Sequence, residues 1–436
     1  MKKVKDNLIS IFLIALILFL PFQALTGAFL DKYLSSGAAF WIAHWYEPVI
    51  IILFAISIIQ IILKQRKLGT ADWIAFALIA LGIASILFLS PTISRGMEGF
   101  RFTLFALLAF VSIRHYHISN ILITYYLIIA GLVAIWAVVE RALPFEYWTN
   151  ILGDTFGWGN FSIVKYYQSS SVLAGPNQLA SYLIPALFIV IDKISKSVIP
   201  VKTGIQKLMG SLDSLPNGRS LGMAALAAPI IACAIAVTFS RSAWVAVAAT
   251  LIISFVIMII RGKEHKNIVK YVLGGLSAII IVGSAYLLFA TQISKSDVIT
   301  HGQSQSQHIY AIKDSIAEII DRKSQPVKLI FGSGLGTAGP AVIKYGDGFV
   351  SESWYLQLAL ELGILGLGLW IALIVTLIVR MWREHQEGLM LGLIGVSIAA
   401  IFLHTWADNP ALATTLFLLI GVGGTEVQAR QGDNNF

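Results

Sequence analysis

The sequence predicts an all-α, polytopic transmembrane helical bundle of about twelve spans, and three observations predict it. Hydrophobic residues make up 57% of the chain and charged ones only 12%. The mean hydropathy is +0.80, far from that of a water-soluble globular chain. The apolar residues are also gathered into runs of about 20, the length a helix needs to cross the hydrocarbon core. A formal net charge of +8 would suit nucleic acid. Cations kept on the cytoplasmic side of a membrane protein produce the same excess, so no nucleic-acid partner is expected. The single cysteine, Cys233, lies inside an apolar run and excludes an internal disulfide.

In chain order the runs fall near 8–28, 42–63, 71–90, 99–114, 119–139, 172–192, 221–239, 242–260, 270–290, 354–379, 388–406 and 409–425. The first is long, and Phe22-Gln23-Ala24-Leu25-Thr26-Gly27-Ala28 is a poor cleavage site, so it reads as a retained span rather than a signal peptide. The fourth is interrupted by Arg101. With the N-terminus inside, the inner connections hold Lys2, Lys3, Lys5, Lys64, Arg66, Lys67, Arg114, the cations of 193–220 and 261–270, Arg380, Arg383 and Arg430, about 19 of the 31 Lys and Arg. That orientation predicts cytoplasmic termini and one long outer connection, residues 291–352, within a single integral membrane domain spanning 1–436. The Gly, Ser and Pro of 209–220 read as a cytoplasmic linker, and no heptad, solenoid or inverted repeat is visible.

Arg241 stands out within this frame. It sits in Thr238-Phe239-Ser240-Arg241-Ser242, a break of a few residues between two spanning runs, on the outer face. A cation at a membrane end either snorkels to the interface or serves a site. The outer connection contains Ser306-Gln307-His308-Ile309-Tyr310 through Ile320, whose apolar spacing predicts a short helix lying along the membrane surface. His308 opens it, as a cap or as a base. Next comes Phe331-Gly332-Ser333-Gly334-Leu335-Gly336-Thr337-Ala338-Gly339-Pro340. Its spacing mimics a dinucleotide fingerprint, but Pro340 and the outer location argue against one. It reads either as a turn whose bare amides approach a phosphate or sugar or as a simple bend.

Glu352 precedes Trp354 and Tyr355 at the start of the next span. There it either meets the helix dipole or, beside a pocket screened from water, rises in pKa and acts as a general base. Glu361 lies about two and a half turns deeper, where a carboxylate needs a partner; packing or helix register is its expected role.

Taken in order, these residues resemble the O-antigen ligase and polymerase superfamily over roughly 70–425. The resemblance rests on Gly175-Pro176-Asn177, Ser240-Arg241, the long outer connection with its glycine-rich stretch, and Glu361-Leu362-Gly363-Ile364-Leu365-Gly366. It implies transfer of a glycan from a polyprenyl-diphosphate carrier to a hydroxyl on a glycan, lipid or protein acceptor, at the outer face of a bacterial cytoplasmic membrane. No metal or other cofactor is implied. Arg241 matches the arginine expected to hold the diphosphate. Where many members have a histidine near the end of the long loop, this chain has Ser351-Glu352-Ser353, so the base is Glu352 or His308. Arg95 and Arg101 either add charge near the diphosphate or anchor the interface. Asn177, Gly334, Gly336 and Tyr355 complete the candidate substrate contacts.

Two alternatives stand beside this expectation. A polymerase would use a second lipid-linked glycan as acceptor, and nothing in the sequence separates it from a ligase. A transporter or flippase of the lipid-linked precursor would also want outer arginines, but it would place charges near the midplane on broken helices of repeated halves.

Overall fold

In a computed structural model the structure describes residues 2–64, 68–113, 119–142, 169, 171–173, 175–197, 216–260, 302–346 and 350–423. Every regular element among them is helical, as hydrocarbon demands of a backbone that must satisfy its own hydrogen bonds. The elements are α1 (Lys2–Phe19), α2 (Gln23–Tyr33), α3 (Ser36–Ala43), α4 (Tyr46–Lys64), α5 (Thr70–Phe88), α6 (Ile93–Thr103), α7 (Phe105–Ile113), α8 (Ser119–Ala142) and α9 (Pro176–Ser197). They continue as α10 (Pro216–Val237), α11 (Arg241–Ile260), α12 (Gly302–Asp321), α13 (Pro326–Phe331), α14 (Ala341–Tyr345), α15 (Trp354–Glu361), α16 (Gly363–Arg383), α17 (Glu387–Ala399) and α18 (Pro410–Gly423).

Six helices among the described residues are long and apolar enough to cross a membrane, or seven if a bent pair counts as one span. Four shorter apolar helices lie at Leu226–Val237, Arg241–Ile257, Glu387–Ala399 and Pro410–Gly421. The run at 270–290 lies outside the described residues; the other eleven runs fall mainly on helix where they are described.

Three departures from the expected spans matter for the site. The run at 99–114 straddles the bend of a pair, α6 and α7, which meet at 53°. Their sequences differ: ISRGMEGFRFT is half polar, whereas FALLAFVSI has no charge, so one straight helix could not suit both surroundings. The span from Trp354 breaks at Leu362–Gly363, where Gly363 has φ +70°. A Cβ there would stand 2.1 Å from the Ile330 carbonyl oxygen, so glycine is what lets the backbone of residues 330–332 reach the break. Finally, α17 stops at Ala399, and residues 400–409 form a non-helical connection instead of continuing the span to 406.

The chain divides into two compact units. The first comprises Met1–Tyr125, Ser296–His385 and Ser397–Phe436. Its centre is an aromatic stack in which Trp370 meets Trp354 at 5.2 Å and Trp406 at 5.5 Å between ring centroids, with Phe417 5.3 Å from Trp406. All four rings are buried, and the two tryptophan pairs meet edge to face, a contact that adds about 0.5–1.5 kcal/mol beyond area burial. The second unit comprises Tyr126–Lys295 and Gln386–Val396. Within it the Tyr126 hydroxyl donates to the Tyr182 carbonyl at 2.7 Å. Gly392 of α17 also lies against Pro185 of α9, so closely that a Cβ would stand 2.8 Å from the proline Cα, the small-residue contact by which membrane helices approach.

Candidate functional site

The glycine-rich stretch is a rigid turn. Gly332, Gly334 and Gly336 all have positive φ. A Cβ on Gly334 would meet the Leu89 backbone at 2.6 Å, and one on Gly336 the Arg95 carbonyl oxygen at 2.5 Å. Its amides are already engaged. Gly334 N donates to the Glu361 carbonyl at 3.1 Å and Leu335 N to Ser85 Oγ at 2.9 Å. Gly336 N and Ala338 N donate to Glu361 Oε1 at 3.0 and 3.2 Å. The amides offered in sequence to a phosphate or sugar therefore hold an internal carboxylate instead. Gly334 and Gly336 build the turn rather than presenting it to a ligand.

Glu361 is fully buried. Besides the two amides it accepts from Thr103 Oγ1 at 3.0 Å and from Gln357 Nε2 at 3.2 Å, both on Oε2. Four donors to one carboxylate meet the demand that a buried charge be paired. The Glu-Leu-Gly sequence thus has a local cause: the glutamate grips the turn, and the glycine two residues later opens the backbone for it.

Beside this clamp the structure joins the two candidate bases. His308 Nδ1 lies 3.0 Å from Glu352 Oε2, and both side chains are partly exposed. The hydrogen bond from His308 holds the Glu352 carboxyl below its ordinary range, outweighing burial, which acts in the opposite direction. Of the two readings of Glu352, the upward shift is not the one the structure supports: the carboxyl is the partner of an imidazole and is shifted down, away from neutrality. Ser353, not Glu352, is the cap residue of α15.

The connection 400–409 adds two groups whose charge states are coupled to Glu352. His404 is buried; its Nδ1 pairs with Gln357 Oε1 at 2.9 Å. Burial holds its ring at about 4, with Glu352 pulling up and His308 pulling down. The Asp408 carboxyl is pushed up to about 7, by burial first and the negative charge of Glu352 second. Between about pH 4, where a free aspartate titrates, and about 7, the folded state keeps a proton that the unfolded chain releases. Stability therefore falls as pH rises through that window. Asp408→Asn removes the penalty. In thermal unfolding it is expected to stabilise the protein by about 2 kcal/mol at pH 8, a figure discounted for partial exposure, and to change little at pH 4.

In the second unit, α11 begins at Arg241 directly after the bend at Thr238–Ser240, where Phe239 has φ +54°. Ser240 Oγ donates to Asn177 Oδ1 at 2.7 Å, tying the N-terminal ends of α9 and α11 together. Two motifs 63 residues apart in sequence are thereby neighbours. Pro176 occupies the first position of α9, where its missing N–H costs nothing. Arg241 is exposed. A cation at a helix N-terminus opposes the macrodipole, so helix stability does not account for it.

The other candidates have structural partners. Arg95 is buried, donates from Nε to the Gly336 carbonyl at 2.7 Å and lies over the Tyr345 ring at 5.5 Å. Arg101 pairs with Glu47 and with Glu98, and Tyr355 donates its hydroxyl to the Ser397 carbonyl at 2.9 Å. Among the described residues no group of three or more His, Cys, Asp or Glu side chains is arranged to hold a metal ion. Sequence reasoning missed His404, Asp408, Gln357 and Thr103. The available signal was His404-Thr405-Trp406-Ala407-Asp408-Asn409-Pro410, a polar run long enough to interrupt a span.

Fold and composition together define a helical membrane protein. No protein-family model matches the chain, and no curated protein matches it.

Proposed function

We propose that this protein transfers a glycan from a polyprenyl-diphosphate carrier to a hydroxyl acceptor at the outer face of the bacterial cytoplasmic membrane. In this scheme twelve spans leave both termini in the cytoplasm and residues 291–352 outside. The observation that carries the proposal is the His308–Glu352 pair at 3.0 Å. An imidazole whose Nδ1–H is held by a charged carboxylate is fixed in the tautomer that takes protons at Nε2, and the carboxylate stabilises the imidazolium that results.

In the reaction, His308 Nε2 takes the proton of the acceptor hydroxyl while that oxygen forms a bond to the anomeric carbon. The bond from the same carbon to the diphosphate oxygen breaks, and the anomeric centre inverts. The electron pair leaves on the polyprenyl diphosphate, and the histidine later returns its proton to water. Arg241 meets the charge that develops on the leaving group. Its position at the first residue of α11, beside the start of α9, supports this role, because helix N-terminal amides and a guanidinium favour the same ligand. Exposed Ile309, Ile316 and Ile320 recur along one face of α12, which suits a helix resting on the outer leaflet near a lipid-borne donor.

Depleting the protein is expected to accumulate lipid-linked glycan at the outer leaflet and to abolish its transferred product. Wild type should restore transfer and Arg241→Ala should restore less than one per cent, about the loss that follows removal of a leaving-group contact. Full rescue by Arg241→Ala and Glu352→Ala, or accumulation confined to the cytoplasmic leaflet, would instead favour a transporter.

A further inference from the structure

Arg322 takes no part in the chemistry above, yet it is only 6% exposed and belongs to the segment that carries the base. The single helical turn Arg322–Ser324 continues α12 directly. Along this length His308, Ile312, Ser315, Ile319 and Arg322 recur at helical spacing and are buried or half-buried, whereas Lys313, Asp314, Ile316, Glu318 and Ile320 between them are exposed. The helix therefore meets the protein along one stripe, with His308 at one end and Arg322 at the other. Midway, Ser315 is fully buried but donates its hydroxyl to the Ala311 carbonyl of its own helix at 2.6 Å, which lets α12 lie close without fixing its register.

Polar contacts at the two ends do fix it, and both run to α15 or to the residues just before it. His308 meets Glu352 at 3.0 Å, ahead of the first turn of α15. Arg322 Nη1 donates to the Leu360 carbonyl in the last turn of α15 at 2.8 Å, and its Nε donates to Glu318 Oε1 at 3.2 Å. A carbonyl at a helix C-terminus lacks an intrahelical donor and favours a cation. Ser333 N already supplies Leu360 with a donor at 2.9 Å, and a charge is costly to bury, so capping α15 does not by itself require an arginine from α12. A planar guanidinium held at two edges by different partners fixes direction as well as distance.

The length of the lever decides the size of the effect. Arg322 and His308 stand about four turns apart, roughly 21 Å, so a tilt of about 3° at the Arg322 end carries the imidazole about 1 Å. A misplacement of that size can cost about 100-fold in a reaction that depends on orientation. Resting on the transfer reaction proposed above, we propose that Arg322 is a positioning residue for it: by fixing the far end of α12 on the last turn of α15, it sets where His308 meets Glu352 and so where the imidazole meets the acceptor hydroxyl.

Labelled with 13C-glutamate in lipid nanodiscs, the full-length protein should show the Glu352 carboxyl titrating below its ordinary range, because the hydrogen bond from His308 holds it there. In Arg322→Met, which keeps the bulk of the side chain and removes its donors, that carboxyl should titrate higher, a change that lost stability alone does not produce in folded protein. In depleted cells Arg322→Met is expected to restore about one hundredth of wild-type transfer, and Arg322→Lys, which keeps a donor for Leu360, to restore more. Arg322→Met combined with His308→Ala should do no worse than His308→Ala alone, since a positioning residue has nothing to position once the ring is gone. If Arg322→Met does not fold, Arg322→Lys carries the same measurements, with a smaller upward move of the Glu352 titration. An unmoved Glu352 titration in the folded variant, wild-type transfer by that variant beside a dead His308→Ala, or a further loss in the double variant would overturn the role of Arg322 and leave the transfer reaction standing. Undiminished transfer by His308→Ala and by Arg241→Ala would remove the reaction, and the role of Arg322 with it.

Discussion

Glu361→Ala is expected to destabilise the first unit by about 4 kcal/mol, read as a fall in the thermal midpoint of the purified protein. The figure follows from what the carboxylate leaves behind. Gly336 N and Ala338 N are backbone donors in a turn that cannot relax, since the glycines are wedged against Leu89 and Arg95. Each buried amide left without an acceptor costs about 1–3 kcal/mol. Thr103 and Gln357 also lose an acceptor, but Gln357 Nε2 keeps its hydrogen bond to Thr103 Oγ1 at 3.2 Å, so their share is smaller. Glu361→Gln keeps one carbonyl oxygen and is expected to lose about half as much. A midpoint unchanged in Glu361→Ala would mean that the turn is held by its packing alone.

What the sequence could reveal here was local. Runs of apolar residues foretold where helices lie, and the short break at 238–242 foretold a new helix starting there, which begins at Arg241, because both depend only on neighbours in the chain. The inward-facing carboxylate at 361 was recognisable as needing a partner, yet its hydroxyl donor is Thr103, 258 residues away. No periodicity encodes such a choice. The same holds for Arg101, whose ion-pair partner Glu47 precedes it by 54 residues, and which from sequence alone passed for a candidate diphosphate contact. The glycine stretch was legible as a turn, but not what its amides face, for a related reason. Spacing shows that a backbone is bare, but what its amides face is decided by tertiary packing. His404 was hidden because a hydropathy window averages the polar run 404–410 with the strongly apolar segments on either side. His308 and Glu352 were each nominated, as alternatives; that they form one unit depends on the fold returning α12 to the start of α15.

That unit makes the other large prediction. His308→Ala is expected to lower the rate of glycan transfer about 1,000-fold, the contribution of a positioned general base, and Glu352→Ala about 100-fold, because the imidazole then loses its fixed tautomer and the charge that stabilises its protonated form. The double variant should be no slower than His308→Ala alone. Residues that act as one unit are not additive, and a carboxylate whose only part is to hold an imidazole has nothing to contribute once the ring is gone. The pH profile carries the same information. The Glu352 carboxyl is held below its ordinary range, so it is already ionised where an imidazole base titrates, and the rate should rise with pH through a single ionisation. In Glu352→Gln that rise should persist at a lower plateau, whereas in His308→Ala it should vanish. Losses that multiply in the double variant, together with a rise that survives removal of the histidine, would assign proton removal to the carboxylate acting alone, and the base would then be the residue at the head of α15 rather than the one on α12.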